Sequence, residues 1–252
     1  MLCKNIMDVI EHTYPKTAAM EWDNVGLLAG RAGKEVRKIY VALDATDEVV
    51  EAAISAGADM LITHHPLIFS PMKQITDTDF IGSRAVKLLQ HDISYYAMHT
   101  NYDVLGMADV AAEMLGLTHT EVLEEIGIGR VGELPAEMTV RQLCELVKER
   151  FGLESVKLFG SPQHPVSRVA ISPGSGKHMS ELAIAKGAEV FITGDIDHHE
   201  GLDAVEQGMA IVDAGHYGLE HIFIEDMANY LSEHLDGVEV EKAEICHPYS
   251  IL

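Results

Sequence analysis

The sequence predicts an α/β fold made of two related lobes, each with a mixed sheet flanked by helices. Two observations lead to this prediction: short β-rich runs alternate with helical stretches, and one stretch of the chain is repeated. With 252 residues and 47% hydrophobic residues, the chain can bury a sizeable core. We place the lobes at residues 1–125 and 126–252, and leave open that the second lobe takes back N- and C-terminal segments.

The elements follow in chain order. An amphipathic helix is predicted at Met1–Glu11, because Lys4 and Asp8 interrupt its apolar stretch. The predicted strands are Lys38–Leu43, Asp59–Thr63, Ile93–Met98, Ser167–Ser172, Glu189–Thr193 and Met209–Asp213. The predicted helices are Asp47–Ala56, Ile81–His91, Met107–Leu115, Thr139–Arg150 with Thr139 as N-cap, Ser180–Lys186, Leu202–Gln207 and a long one at Tyr217–His234.

The repeat relates Ala53–Thr63 to Ala183–Thr193, which are identical at six of eleven positions. Each copy reads as a helix end, a glycine that can cap it, and a buried strand ending in Ile-Thr. This pattern is also common among unrelated α/β proteins. Its matched place in each half favours a true duplication.

The chain is strongly acidic, with Asp+Glu 40 against Lys+Arg 18 and a net charge of -22. This argues against a nucleic-acid partner, which needs clustered Lys and Arg, but not against a small anionic substrate if a cation occupies the site. No apolar run has the length of a membrane span. The three cysteines are far apart and form no disulfide framework, so we expect a cytoplasmic protein.

Histidines and carboxylates follow the predicted strands, at the end of the sheet where α/β proteins bind ligands. His64 and His65 are adjacent, so in extended backbone they point apart and suit two neighbouring ions. His216 and Glu220 share one face if a helix begins near His216, and Asp103 adds a hard oxygen ligand. Two ions would suit hydrolysis, since they acidify a bridging water and polarise a substrate oxygen.

Imidazole and carboxylate ligands favour zinc, manganese, iron, nickel or cobalt. Other polar positions stay open. Asp213 could orient a ligand histidine or make a turn, and His198 and His199 could act beside a substrate or simply begin a helix. Ser172–Lys177 is similar to a phosphate-binding turn but lacks P-loop spacing, and Trp22–Leu27 reads as a tight entry to a strand.

Five motifs in a fixed order carry a family resemblance over nearly the whole chain. They are Trp22–Leu27, Ile62–Pro66, His99–Asp103, Ile192–Asp195 and Gly215–Glu220. Together they resemble the dinuclear metal-centre family of GTP cyclohydrolase I type 2 homologues, also called Nif-three-like proteins. The chain resembles the short form, because it has no room for the domain that longer members carry in the middle.

The resemblance implies a di-metal site between the two lobes and assembly as a toroidal homohexamer. It implies two divalent metal ions per subunit, with Glu220 bridging both. The implied metal ligands are His64, His65, Asp103, His216 and Glu220. His99 would lie near the site without binding metal.

These features favour a metal-dependent hydrolase acting on a nucleotide-like substrate. In the cyclohydrolase interpretation, water attacks ring carbon C8 of GTP and the imidazole ring opens, with His99 or His198 as proton shuttle. The alternative is a non-enzymatic metal-binding scaffold or regulatory protein. A ring that encircles DNA is opposed by the acidity.

Overall fold

The computed structural model describes residues 1–251 and has the predicted α/β class, with mixed sheets flanked by helices. The strands are β1 (Gly26–Ala29), β2 (Lys38–Ala42), β3 (Met60–Thr63), β4 (Ser94–Ala97), β5 (Thr118–Val122), β6 (Arg130–Thr139), β7 (Lys157–Phe159), β8 (Pro165–Ser175), β9 (Val190–Gly194), β10 (Ala210–Asp213) and β11 (Glu239–Lys242). The helices are α1 (Cys3–Thr13), α2 (Asp47–Ser55), α3 (Phe80–Gln90), α4 (Thr100–Tyr102), α5 (Ala108–Met114), α6 (Val140–Phe151), α7 (Ser180–Ala185), α8 (His198–Glu206), α9 (His216–Glu220) and α10 (Ile222–His234).

The first compact unit comprises Met1–Tyr102 and Phe223–Cys246. Its sheet has the order β1-β4-β3-β2-β11, in which β4, β3, β2 and β11 run parallel and β1 is antiparallel to β4. Strands β3 and β4 are fully buried, as expected for the centre of a parallel sheet covered by helices. The residues that come after β3 and β4 in the chain therefore lie at the same edge of the sheet.

The second compact unit comprises Asp103–Ile222 and the residues from His247 onward. Its sheet has the order β5-β6-β8-β9-β10-β7. The three central strands, β8, β9 and β10, are parallel, whereas β5, β6 and β7 pair antiparallel. Among the helices of residues 1–251, none combines the length and the apolar character that a bilayer crossing requires.

The repeated segments have the same local structure in the two units. Gly57 (φ +69°) and Gly187 (φ +74°) each follow the end of a helix, and a buried strand comes next. The backbone hydrogen bonds correspond as well: the amide of Ala58 donates to Ala53 O, and that of Ala188 donates to Ala183 O, both at 3.0 Å. Left-handed glycine is the usual solution at such a helix end, and its use at both places supports duplication.

All six predicted strands are present, with ends that differ by a few residues. Thr139 caps α6 as predicted, and it forms a capping box with Gln142. The prediction of one long helix at Tyr217–His234 is wrong, because α9 and α10 are separated at His221. The buried ring of His221 hydrogen bonds through Nε2 to the carbonyl of Phe151 at 2.9 Å, which fixes the chain at this break.

Candidate metal centre

His64 and His65 follow β3 directly, and each ring is fixed through its Nδ1 atom. Nδ1 of His64 lies 2.8 Å from the carbonyl oxygen of Met98, and Nδ1 of His65 lies 2.7 Å from Oδ1 of Asp44. A carbonyl or a carboxylate oxygen can only accept, so Nδ1 donates in both pairs. The lone pair of each ring is then on Nε2, which is the atom that a metal ion would bind.

The loop that carries these histidines is held by the buried hydroxyl of Tyr95 on β4. This oxygen accepts a hydrogen bond from the amide of Leu67 at 2.7 Å and donates to the carbonyl of His65 at 3.0 Å. Burial raises the pKa of Tyr95 to about 12, so its hydroxyl keeps its proton and its donor role. The backbone on both sides of Pro66 is thereby fixed against the sheet.

His99 lies beside this pair, at the end of β4. Its Nδ1 is 2.8 Å from Oδ1 of Asp23, whose other oxygen accepts from the amide of Thr100 at 3.0 Å and from its hydroxyl. Burial alone would raise the pKa of Asp23, but the hydrogen bonds from His99 and Thr100 lower it to about 2. Possible ligand atoms of His64, His65 and His99 lie within 4.8 Å of one another.

In the second unit, His216 and Glu220 share one face of α9, as their spacing predicts. Nδ1 of His216 lies 2.8 Å from Oδ2 of Asp195, and its Nε2 lies 2.9 Å from Oε2 of Glu220. Glu220 is buried, with 3% of its surface exposed. Asp195 follows β9 directly and has a left-handed backbone conformation (φ +57°).

Asp103 is the first residue of a π-helical turn that extends to Met107 and follows α4 without a break. Its side chain is half-buried. A π turn inside a helix is rare and is frequent at functional sites. The sequence signal for Asp103 was its place after a strand, and the π turn itself has no recognisable pattern in the sequence.

Gly174, within the turn that is similar to a phosphate-binding turn, instead packs against Glu220. It belongs to β8 with φ +79°, and a Cβ there would lie 2.2 Å from Oε1 of Glu220. Gly176 is equally crowded, since its Cβ would lie 2.1 Å from Oγ1 of Thr193. Close packing therefore explains these glycines, and that of Gly174 shapes the space around Glu220.

The remaining polar candidates have other places. The carboxylate of Asp213 stabilises a turn, because it accepts a hydrogen bond from the amide of Gly215 at 3.1 Å. It also forms an ion pair with Lys157 at 2.6 Å. The orienting role considered for Asp213 belongs to Asp195. His198 and His199 are exposed at the start of α8, and their rings contact each other at 5.2 Å. Catalysis by His198 stays a prediction.

The donor set fits divalent transition metals. Each of His64, His65, His99 and His216 uses Nδ1 for an oxygen partner, an arrangement typical of metal-binding histidines in which the second nitrogen is directed at the ion. The carboxylate of Glu220 adds a hard oxygen on the same helix face as His216. His, Asp and Glu groups that could bind a metal ion are therefore present, with zinc, manganese, iron, nickel and cobalt as suitable ions.

Comparison with known proteins identifies the family. The model of Duf34/NIF3 (NGG1p interacting factor 3) matches residues 1–248. The chain belongs to this family. NIF3 relatives include a "GTP cyclohydrolase 1 type 2 homolog" of Streptococcus pneumoniae serotype 4, 37% identical with 92% of this chain and 91% of the relative covered. Another of the same name, from Clostridium perfringens, is 35% identical with 94% of each chain covered.

A solved NIF3 structure has the same fold. The crystal structure described as a Bacillus cereus protein related to NIF3 superposes with a TM-score of 0.95 at 27% identity, covering 100% of this chain and 99% of that chain. The resemblance carried by the five sequence motifs is thus confirmed over the whole length.

Replacing Asp44 by alanine is expected to weaken zinc binding by about 10- to 100-fold, because His65 loses the carboxylate that fixes its ring and its tautomer. Competition against a chromophoric chelator measures the affinity. Asp47→Ala is the matched control, since this nearby carboxylate pairs with Arg84 at 3.2 Å on the surface. Equal zinc affinity in the two variants would contradict the role of Asp44.

Gly174→Ala is expected to destabilise the protein more than Gly187→Ala. Both glycines have a left-handed φ, which costs alanine about 1–2 kcal/mol, but only at Gly174 does the new methyl meet a buried carboxylate. The overpacking adds about 1–3 kcal/mol to the loss in free energy of unfolding. Urea unfolding of both variants gives the difference, and equal losses would show that Glu220 yields without cost.

Proposed function

We propose that the chain is a dinuclear metal-dependent hydrolase acting on a nucleotide-like substrate. Two divalent ions would be held by His64, His65, Asp103, His216 and Glu220. The observation that carries the proposal is the shared fixation of the ligand histidines through Nδ1. The common name of the relatives points to the substrate class.

The protein's own residues have distinct roles in this proposal. When bound, two divalent ions would supply Lewis acidity and a water of lowered pKa. His99 would move a proton at Nε2, because Asp23 already occupies Nδ1 and orients the ring. His198 remains a second candidate for proton transfer. Tyr95 and Asp44 act indirectly, since they fix the loop and the ring of His65.

We extend the proposal to assembly and location, which rest on the family resemblance and on cysteine usage respectively. The chain would form a toroidal homohexamer in the cytoplasm. Light scattering on the purified protein measures the subunit number directly. A net charge of -22 opposes long-range attraction of a nucleotide, so recognition of the substrate would depend on short-range contacts.

His65→Ala combined with Glu220→Ala is expected to release most bound metal while the fold persists, because one ligand is lost from each unit. Elemental analysis measures metal per chain and circular dichroism checks the fold. His91→Ala with Glu149→Ala is the control, since it removes one exposed residue of each type, again one from each unit. Two metal equivalents retained in the first variant would refute the ligand assignment.

The metal-loaded protein is expected to turn over at least one nucleotide, cyclic nucleotide or phosphoester. The screen includes GTP, whose ring opening is followed by absorbance, and the variant lacking His65 and Glu220 sets the background. Loss of turnover in that variant supports a metal-dependent hydrolase. Bound metal without turnover above background would instead favour the non-enzymatic metal-binding scaffold.

A further inference from the structure

Two large aromatic rings are exposed beside the histidine cluster of the first unit. Trp22 is 61% exposed and Phe69 is 50% exposed, and their ring centroids are 5.9 Å apart with planes inclined at 53°. Both rings contact His99, at centroid distances of 6.1 and 6.3 Å. His99 in turn contacts His64 and His65, at 5.3 and 5.7 Å.

The exposure of Trp22 does not come from a loose segment. The next residue, Asp23, is held by His99 and Thr100, and the amide of Met20 donates to the hydroxyl of Thr100 at 2.9 Å. The side chain of Asn24 then donates to the carbonyl of Ile68, the residue before Phe69. Both rings are therefore carried by backbone that hydrogen bonds fix in place.

From this arrangement we propose that Trp22 and Phe69 form a binding subsite for a planar aromatic heterocycle, such as a nucleobase, adjacent to His99. Each ring has exposed surface on which a flat ligand ring can stack, and the inclined neighbouring ring can contact the edge of that ligand. This inference rests on the proposed function, since it supplies the recognition element of the same site.

Stacking also suits the charge of the chain. Electrostatic attraction of phosphate is weak for a protein with a net charge of -22, whereas stacking uses the face of the base and needs no cation. A ligand ring held on Trp22 or Phe69 would lie beside His99, which both rings contact. The subsite would thus select the base and hold it next to the histidine cluster.

Trp22 is the single tryptophan of the chain, so its fluorescence reports directly on the subsite. Excitation is set at the red edge of indole absorption, where nucleobases do not absorb. Guanosine and GMP are expected to quench the emission in a saturable way, and ribose 5-phosphate, which lacks the base, is expected to leave it unchanged. Equal responses to GMP and ribose 5-phosphate would overturn the proposal.

Phe69→Ala is expected to weaken the apparent affinity for guanosine by about 5- to 100-fold, the usual effect of removing one stacking partner. Phe80→Ala is the matched control, because Phe80 is 63% exposed but packs against Arg84. By calorimetry, Trp22→Phe is expected to retain more affinity than Trp22→Leu. Unchanged affinity in Phe69→Ala, or equal affinity in the two Trp22 variants, would refute stacking.

Three further outcomes separate this proposal from others. If the emission depends on protein concentration and not on guanosine, a second copy of the chain covers Trp22, and the subsite is refuted. Quenching by guanosine in the variant lacking His65 and Glu220 would support the subsite even if the metal centre fails. Turnover of nucleotides without quenching of the Trp22 emission would support the proposed hydrolase and refute the subsite.

Discussion

The hydrogen bond from Nδ1 of each candidate histidine to an oxygen is the interaction on which the site depends. It fixes the rotation of the ring and, in His64, His65 and His99, places the proton on Nδ1 and the lone pair on Nε2. Three of the four partners are carboxylates, namely Asp23, Asp44 and Asp195. Only His64 has a neutral partner, the carbonyl of Met98, and its ring is completely buried. Burial fixes that ring where a charged partner would be costly to desolvate.

These partners come from neighbouring strand ends, which explains why an α/β unit with parallel strands suits this chemistry. In the first unit Asp44 follows β2 and His65 follows β3, which pair in parallel. In the second unit Asp195 follows β9 and His216 follows β10, which also pair in parallel. Asp44 and Asp195 thus each follow the strand next to the one that their histidine follows. Parallel register sets both at one edge, so the sheet places the pair without any long loop.

The sequence predicts the α/β class, the central strands and the candidate ligands, because buried parallel strands and the polar residues after them have strong local patterns. It does not predict that Asp23, Asp44 and Asp195 bind the histidine rings, because the local sequence does not show which strands lie side by side. Strand β5 was also missed because it is exposed and polar along its length, so it has no alternating pattern. The break at His221 depends on a contact with Phe151, seventy residues earlier in the chain.

The aspartates that accept hydrogen bonds from the candidate histidines give part of the acidic composition a structural role. The sequence alone assigns two carboxylates to metal binding, Asp103 and Glu220. The structure adds Asp23, Asp44 and Asp195 as partners of candidate histidines, and the low pKa of Asp23 keeps that group ionised throughout the physiological range. Part of the excess acidity thus has a local role, since each of these aspartates fixes the ring of a candidate metal-binding histidine.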